Sequence, residues 1–513
     1  MGQDPESSAD IPAFDLEEAT VNDLQAAMAA GRLTSRAITA KYLERIDALD
    51  RRGPTLRYVI ETNPDALSIA EELDAERKAK GPRGPLHGLP VLVKDNIDTA
   101  DRMTTTAGSL ALEGHIAARD AFLVARLRAA GAVILGKANL SEWSNFRSGR
   151  SSSGWSARGG QARNPYALDR SPSGSSSGPA GAVSANLCPV AVGTETNGSI
   201  VSPSSCCGVV GIKPTVGLVS RAGIIPISSS LDTAGPIART VADAAALLGA
   251  MTGVDSDDDA TIASRDRVGT DYTKCLKADG LKGARIGVWR AGGFDPKVLP
   301  ILESAVAAIR SAGAAVIDAV EVPTYGKLGD PLSHVLRYEF KATLNAYLRA
   351  LGPDARVRTL EDVIAFNEKH RDREMPFFGQ EIFLEAQERR GLDSPTYLRS
   401  RDEARRLARE EGLHAALDTQ GLDALVALTN GPAGLTDLVN GDRGTGGTST
   451  LCAVAGCPSI TVPAGDVFGL PVGISFMGRA FDEATLVRLA YAFEQLTHAR
   501  KPPRFLPTLD LPL

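Results

Sequence analysis

Short apolar runs set off by Gly and Pro alternate along the chain with stretches of helical spacing. The N-terminal part reads as helices. Thr20 is placed to cap a helix that stops near Gly31, and Ser35 opens the next, through Leu49. Asn63-Pro64 supplies an N-cap and first-turn pair for a third helix ending near Gly81. The texture then changes. Leu89 to Val93, Ala132 to Leu135, Val190 to Val192 and Val209 to Ile212 are apolar runs of strand length, with a helical stretch from Asp120 to Ala130. Further strands are predicted at Arg285 to Val288, Ala315 to Val320, Leu425 to Leu428, Ser459 to Val462 and Val472 to Phe476. Helices fit Leu299 to Ala312 and Asp482 to Leu496. This alternation predicts an α/β architecture built on a mostly parallel sheet. The stretch from about 335 to 420 is charged and helical, and reads as an insertion or lid.

Composition narrows the classes. The chain has 513 residues, 43% hydrophobic and 23% charged, a globular profile long enough to bury a large core. A net charge of -6 argues against the basic face that nucleic acid requires, and aromatics are only 5%. No apolar run approaches the roughly 20 residues of a membrane span. Met1 to Asp10 is acidic and polar, without the n- and h-regions of a secretory signal, so a cytoplasmic location is expected. Glu6 stands where a myristoylation signal needs Ser or Thr. The six cysteines form no Cys-x-x-Cys pair and the six histidines no His-Glu-x-x-His, so neither a metal nor another cofactor is expected.

Four local motifs carry candidate chemistry. Gly131 to Ala138 nearly matches a phosphate-binding loop, but its apolar middle suits a strand and Ala138 lacks the magnesium-binding hydroxyl. Gly174-Ser175-Ser176-Ser177-Gly178 matches G-x-S-x-G, yet no strand precedes it as a nucleophile elbow demands. Asn197-Gly198-Ser199 matches a glycosylation acceptor but lies between apolar runs, where a turn is the better reading. Lys94 ends an apolar strand; buried there, it would be a base with a lowered pKa. The Ser- and Gly-rich stretch from 148 to 178 is long for a structureless loop, which points to function. Together these segments offer a base, several serines and a tight turn, Thr196-Asn197-Gly198-Ser199, whose backbone N–H groups suit an oxyanion.

The ordered blocks resemble the amidase signature family. They are Gly174 to Gly178, Gly193-Thr194-Glu195-Thr196-Asn197-Gly198-Ser199-Ile200, and Cys207-Gly208-Val209-Val210-Gly211-Ile212-Lys213-Pro214-Thr215. Gly88 to Asn96 resembles the family's lysine motif, and Thr105 to Ser109, Gly136 to Asn139 and Ser230 to Thr240 match further blocks. The resemblance is dense from about 85 to 245 and looser beyond. It implies a single large α/β domain, with a central mixed, mostly parallel twisted sheet covered by helices on both faces. Residues 84–513 would form that core and 1–83 a helical region packed on it.

The resemblance also implies a Ser-Ser-Lys triad. Ser199 matches the nucleophile, Ser175 the bridging serine held by a cis peptide bond, and Lys94 the terminal base, with Thr196, Asn197, Gly198 and Ser199 as oxyanion donors. Ser176 is thereby demoted from nucleophile to a substrate-side candidate. Two departures stand out: Asn197 where the family commonly has Gly, and Val201 where it commonly has Arg. Asn tolerates left-handed backbone, so the turn is expected to survive. Glu195, Val201 and the segments 145–155 and 164–170 are similar to the peptide amidase branch, which releases ammonia from C-terminal peptide amides. Ser151, Ser152, Phe146 and Trp155 are the further substrate-side candidates, with the 444–450 stretch beside them. The expected partner is a small-molecule or peptide amide. Aryl or fatty amides, carbamates and esters remain open as substrates, as do a tRNA-dependent amidotransferase subunit and a catalytically inactive binding homologue.

Overall fold

The computed structural model describes residues 15–291 and 293–511; the reading of Met1 to Asp10 lies outside them. Thr20 caps helix α1 (Val21–Ala29), accepting from the backbone N–H of Asp23 while the Asp23 carboxylate accepts from that of Thr20. Helix α2 (Ser35–Arg45) opens at Ser35, as expected, with Thr34 as its cap. Thr34 Oγ1 accepts from Ala37 N at 3.0 Å, and Ser35 donates to the carbonyl of Gly88. The N-terminal region is not helical throughout. Strand β1 (Val59–Thr62) precedes helix α3 (Ala66–Lys80) and forms one edge of the main sheet.

The other strands follow in chain order. They are β2 (Pro90–Lys94), β3 (Val133–Ala138), the short ribbon β4 (Trp155–Ser156) with β5 (Gly160–Gln161), β6 (Val190–Glu195), β7 (Val210–Lys213), β8 (Thr233–Ala238), β9 (Arg285–Val288), β10 (Ala315–Ile317), β11 (Ala424–Leu428), β12 (Ser459–Val467) and β13 (Leu470–Met477). Ten of these and β1 form one sheet in the order β1-β3-β2-β6-β8-β7-β12-β13-β11-β9-β10. The sheet is mixed, as expected, but parallel pairing does not dominate it. Parallel ladders hold the flanks, β3-β2-β6 and β11-β9-β10, and antiparallel ladders run through the centre from β6 to β11. The reason is local. β12 and β13 are joined by Phe468-Gly469, both at positive φ (52° and 80°), the backbone of a tight hairpin.

Strand β8 has no counterpart in the sequence reading. Gly235 and Pro236 sit in its middle, residues that argue against a central strand. Here Gly235 admits a close approach: a Cβ would lie 2.0 Å from the carbonyl oxygen of Ile212. Strand β7 pairs with β8 at Ile237 and Ala238, short of Pro236. The near-match to a phosphate loop is a turn followed by β3, buried throughout, with Lys137 donating to Ile97 O at 2.6 Å and Thr105 Oγ1 at 2.8 Å.

Helices α4 (Phe122–Ala129), α5 (Ser177–Ser184), α6 (Val201–Cys206), α7 (Val241–Met251) and α8 (Leu299–Ser311) fill the connections. The predicted insertion begins with the 22-residue helix α9 (Gly329–Ala350) and continues through further helices to Thr419. It docks on the core through aromatic contacts, Phe340 on Phe146 (5.0 Å between ring centroids) and Phe383 on Trp143 (5.8 Å). Among the described residues, no helix is long and apolar enough to cross a membrane. No cluster of His, Cys, Asp or Glu there could hold a metal ion.

Candidate active site

Every residue of β2 is buried, so the strand carries Lys94 at its end into the interior with no exposed surface. Its ammonium nitrogen donates to Ser175 Oγ at 2.7 Å, to Thr194 Oγ1 at 2.8 Å and to Thr194 O at 3.3 Å. Burial pushes the Lys94 pKa down to about 7, against the opposing charges of Asp232 and Glu195. At neutral pH a large fraction is therefore a neutral amine, able to accept a proton. Lys94 and Ser175, 81 positions apart, are in direct contact.

Ser175 is fixed by its backbone. The Gly174–Ser175 peptide bond is cis, the form the resemblance implies. The carbonyl of Ser175 accepts from Ser141 N at 3.0 Å, and a Cβ on Gly174 would lie 2.2 Å from Ser141 Oγ. Ser176 is occupied otherwise. Its hydroxyl donates to Thr194 O at 3.0 Å and accepts from Thr194 N at 3.2 Å, while its N–H donates to Ser199 O at 3.1 Å. The serine loop, β6 and the turn are thereby stitched side by side.

The turn follows β6 directly. Its left-handed residue is Gly198, at φ 82°. Asn197 acts through its side chain, donating to Thr450 Oγ1 at 3.1 Å and accepting from Ser449 Oγ at 2.9 Å. Glu195 clamps the turn: one carboxylate oxygen accepts from Gly198 N at 2.8 Å, the other from Ile200 N at 2.8 Å and Val201 N at 3.1 Å. The N–H of Gly198 is thus engaged, in contrast to its expected place among the oxyanion donors. Thr196, Asn197 and Ser199 are left as the candidate donors of the turn. Ser199 itself keeps 8% of its surface exposed.

A cavity of about 200 Å³ opens against the turn, lined in part by Asn96, Ser144, Thr196, Ile227, Asp232 and, from the insertion, Thr343. The expected substrate-side rings lie elsewhere. Phe146 packs on Phe340, and Trp155 packs edge-on against Phe377 and Phe378 beside Arg147; both rings are buried. Ser151 donates to Asn145 Oδ1 at 3.3 Å and Ser152 to the carbonyl of Asp437 at 2.6 Å. The 444–450 stretch does reach the turn, through Ser449 and Thr450. Sequence reasoning gave no role to Asn96, Thr194 or Asp232. Asp232 held a signal, as the one acidic residue inside the block Ser230 to Thr240.

Residues 37–487 match the Amidase family. A probable amidase of Arabidopsis thaliana is 45% identical over 504 residues, covering 96% of this chain and 93% of its own. The native peptide amidase of Stenotrophomonas maltophilia superposes with a TM-score of 0.92 at 54% identity, over 96% of this chain and 100% of that one. A peptide amidase solved with the competitive inhibitor chymostatin gives the same TM-score of 0.92 and identity of 54%, again over 96% and 100% of the two chains. The chain belongs to the amidase signature family and is an amide-hydrolysing enzyme.

Proposed function

We propose that the enzyme cleaves the C-terminal carboxamide of peptides and releases ammonia, with Ser199 as nucleophile, Ser175 as proton relay and Lys94 as base. One observation carries the relay: the Lys94 nitrogen lies 2.7 Å from Ser175 Oγ in a buried site that holds its pKa near 7. The substrate reading is supported by the 54% identity to peptide amidases over nearly the whole chain.

The chemistry follows from the residues. Neutral Lys94 accepts the Ser175 proton as Ser175 takes that of Ser199, and Ser199 Oγ attacks the amide carbon. Negative charge builds on the carbonyl oxygen beside the turn, where each positioned N–H contributes about 3–4 kcal/mol of stabilisation. The proton then runs back through Ser175 to the amide nitrogen, the C–N bond breaks and ammonia leaves. Water attacks the Ser199 ester by the same relay and frees the acid.

The test is ammonia release from a peptide amide, together with turnover of an anilide, a fatty amide and a carbamate, by wild type and Ser199→Ala. The peptide amide is expected to be the best substrate, with turnover falling at least about 10³-fold in the variant. Preferred turnover of the anilide or carbamate would replace the substrate and keep the triad. Full activity in Ser199→Ala would overturn the mechanism.

A further inference from the structure

We infer that Glu339, on insertion helix α9, is a positioning residue for the oxyanion turn, acting through Asp232 and Thr196. The inference rests on the reading of Ser199 as nucleophile. Glu339 is fully buried, and its carboxylate collects four donors. One oxygen accepts from Ser228 Oγ and, at 3.0 Å, from Ser230 N; the other accepts from Ser230 Oγ and, at 2.7 Å, from Tyr397 OH. A buried charge persists only when hydrogen-bonded this fully, so the loop around Ser228 is held rigidly to α9.

That loop in turn grips Asp232. Ile227 N and Ser228 N donate to one Asp232 oxygen at 2.7 and 2.8 Å, and Asp232 N donates to Ser228 O at 3.0 Å. The other Asp232 oxygen accepts from Thr196 Oγ1 at 2.6 Å. An unbroken chain of hydrogen bonds therefore runs from Tyr397 and Glu339 through Ser228 and Asp232 to the first residue of the turn. The same loop and Thr343, one helical turn after Glu339, line the cavity. The insertion thus shapes the pocket and braces the groups that face a developing negative charge. Bracing of this kind favours the transition state over the bound substrate, so its loss lowers kcat more than it raises KM.

The experiment compares wild type with Glu339→Gln, which keeps the shape and removes the charge. The probes are a peptide aldehyde, which forms a tetrahedral adduct with a serine nucleophile, and the matching alcohol, which does not. Glu339→Gln is expected to lower kcat and aldehyde affinity by the same factor, about ten- to hundredfold, less than deleting an oxyanion donor outright. KM and alcohol affinity stay within about twofold. Tyr397→Phe removes one donor and leaves the carboxylate, so a smaller loss of the same kind is expected; it decides the matter if Glu339→Gln does not fold. Equal loss of aldehyde and alcohol affinity would assign Glu339 to the pocket wall and overturn the inference, as would unchanged kcat. A wild-type enzyme that binds both compounds equally would instead overturn the Ser199 reading, and this inference with it.

Discussion

Lys94 and Lys137 stand on neighbouring strands, in register with Ala138 and Val93, and both are fully buried. Burial pushes both pKa values down. Their partners differ. Lys94 meets the hydroxyls of Ser175 and Thr194, and Ser175 can pass a proton onward. Lys137 donates to the carbonyl of Ile97 and the hydroxyl of Thr105, within the field of Asp95 and Asp98. A third buried lysine, Lys213, donates to two carbonyls, those of Pro214 and Cys457. Carbonyls only accept, so Lys213 is held as a donor. Desolvation lowers the pKa of a buried lysine, but it becomes a base only when its neighbours can exchange protons and lie beside a nucleophile.

The largest effects come from removing each lysine in turn. Lys94→Met is expected to lower kcat/KM by about 10²–10⁴-fold, the usual contribution of a general base, with no loss of stability. Lys137→Met is expected to do the reverse. Stranding the Ile97 carbonyl and the acidic groups costs about 1–3 kcal/mol in urea unfolding, while kcat per folded molecule stays within a few-fold. Kinetics on folded protein and the two unfolding curves check both halves. Equal losses of activity in the two variants would dissolve the contrast.

Protonation gives the next effect. In the proposed relay the competent form of Lys94 is the neutral one, so kcat/KM should climb with pH through about 7 and then level. Stability carries the same signature with a defined sign. Lys94 has a lowered folded pKa, so between about 7 and its ordinary 10.5 the unfolded chain binds more protons at this site than the folded one. Stability from this group therefore rises with pH across that window. The stability advantage of Lys94→Met over wild type should be greatest below pH 7 and shrink toward 10.5. A constant difference across that range would mean that Lys94 stays charged in the fold.

The sequence was most legible where chemistry and local geometry coincide. The apolar run into Lys94 and the Gly-rich turns were readable because a buried strand and a tight turn each leave a residue-level mark. The substrate side was not. Phe146 and Trp155 are substrate-side candidates in sequence, but Phe340 on α9 and the loop residues Phe377 and Phe378, some 200 residues downstream, pack on them. Asp232, Glu195 and Glu339 work through backbone and hydroxyl donors that only the folded chain brings near. Strand β8 was hidden because its glycine answers a contact with Ile212, more than 20 residues away. In each case the deciding partner is distant in sequence and carries no pattern of its own.

The finest test concerns Thr194, whose hydroxyl sits between Lys94 and Asn96. It accepts from Lys94 Nζ at 2.8 Å and from Asn96 Nδ2 at 3.0 Å, while Ser175 and the Thr194 carbonyl remain as the other partners of Lys94. An acceptor favours the charged form of an amine, so Thr194→Val withdraws support from protonated Lys94. One hydrogen bond is worth about 0.5–1.5 kcal/mol net, and 1.36 kcal/mol is one pKa unit, so the limb of kcat/KM should move to lower pH by about 0.4–1 unit. The plateau rate should change little, because the relay through Ser175 is untouched. Lys137 shares no partner with Thr194, so the stability of the Lys137 region should stay as it is. A limb displaced to higher pH would mean that the Thr194 hydroxyl donates to the lone pair of the amine, and the proton order around the base would have to be reversed.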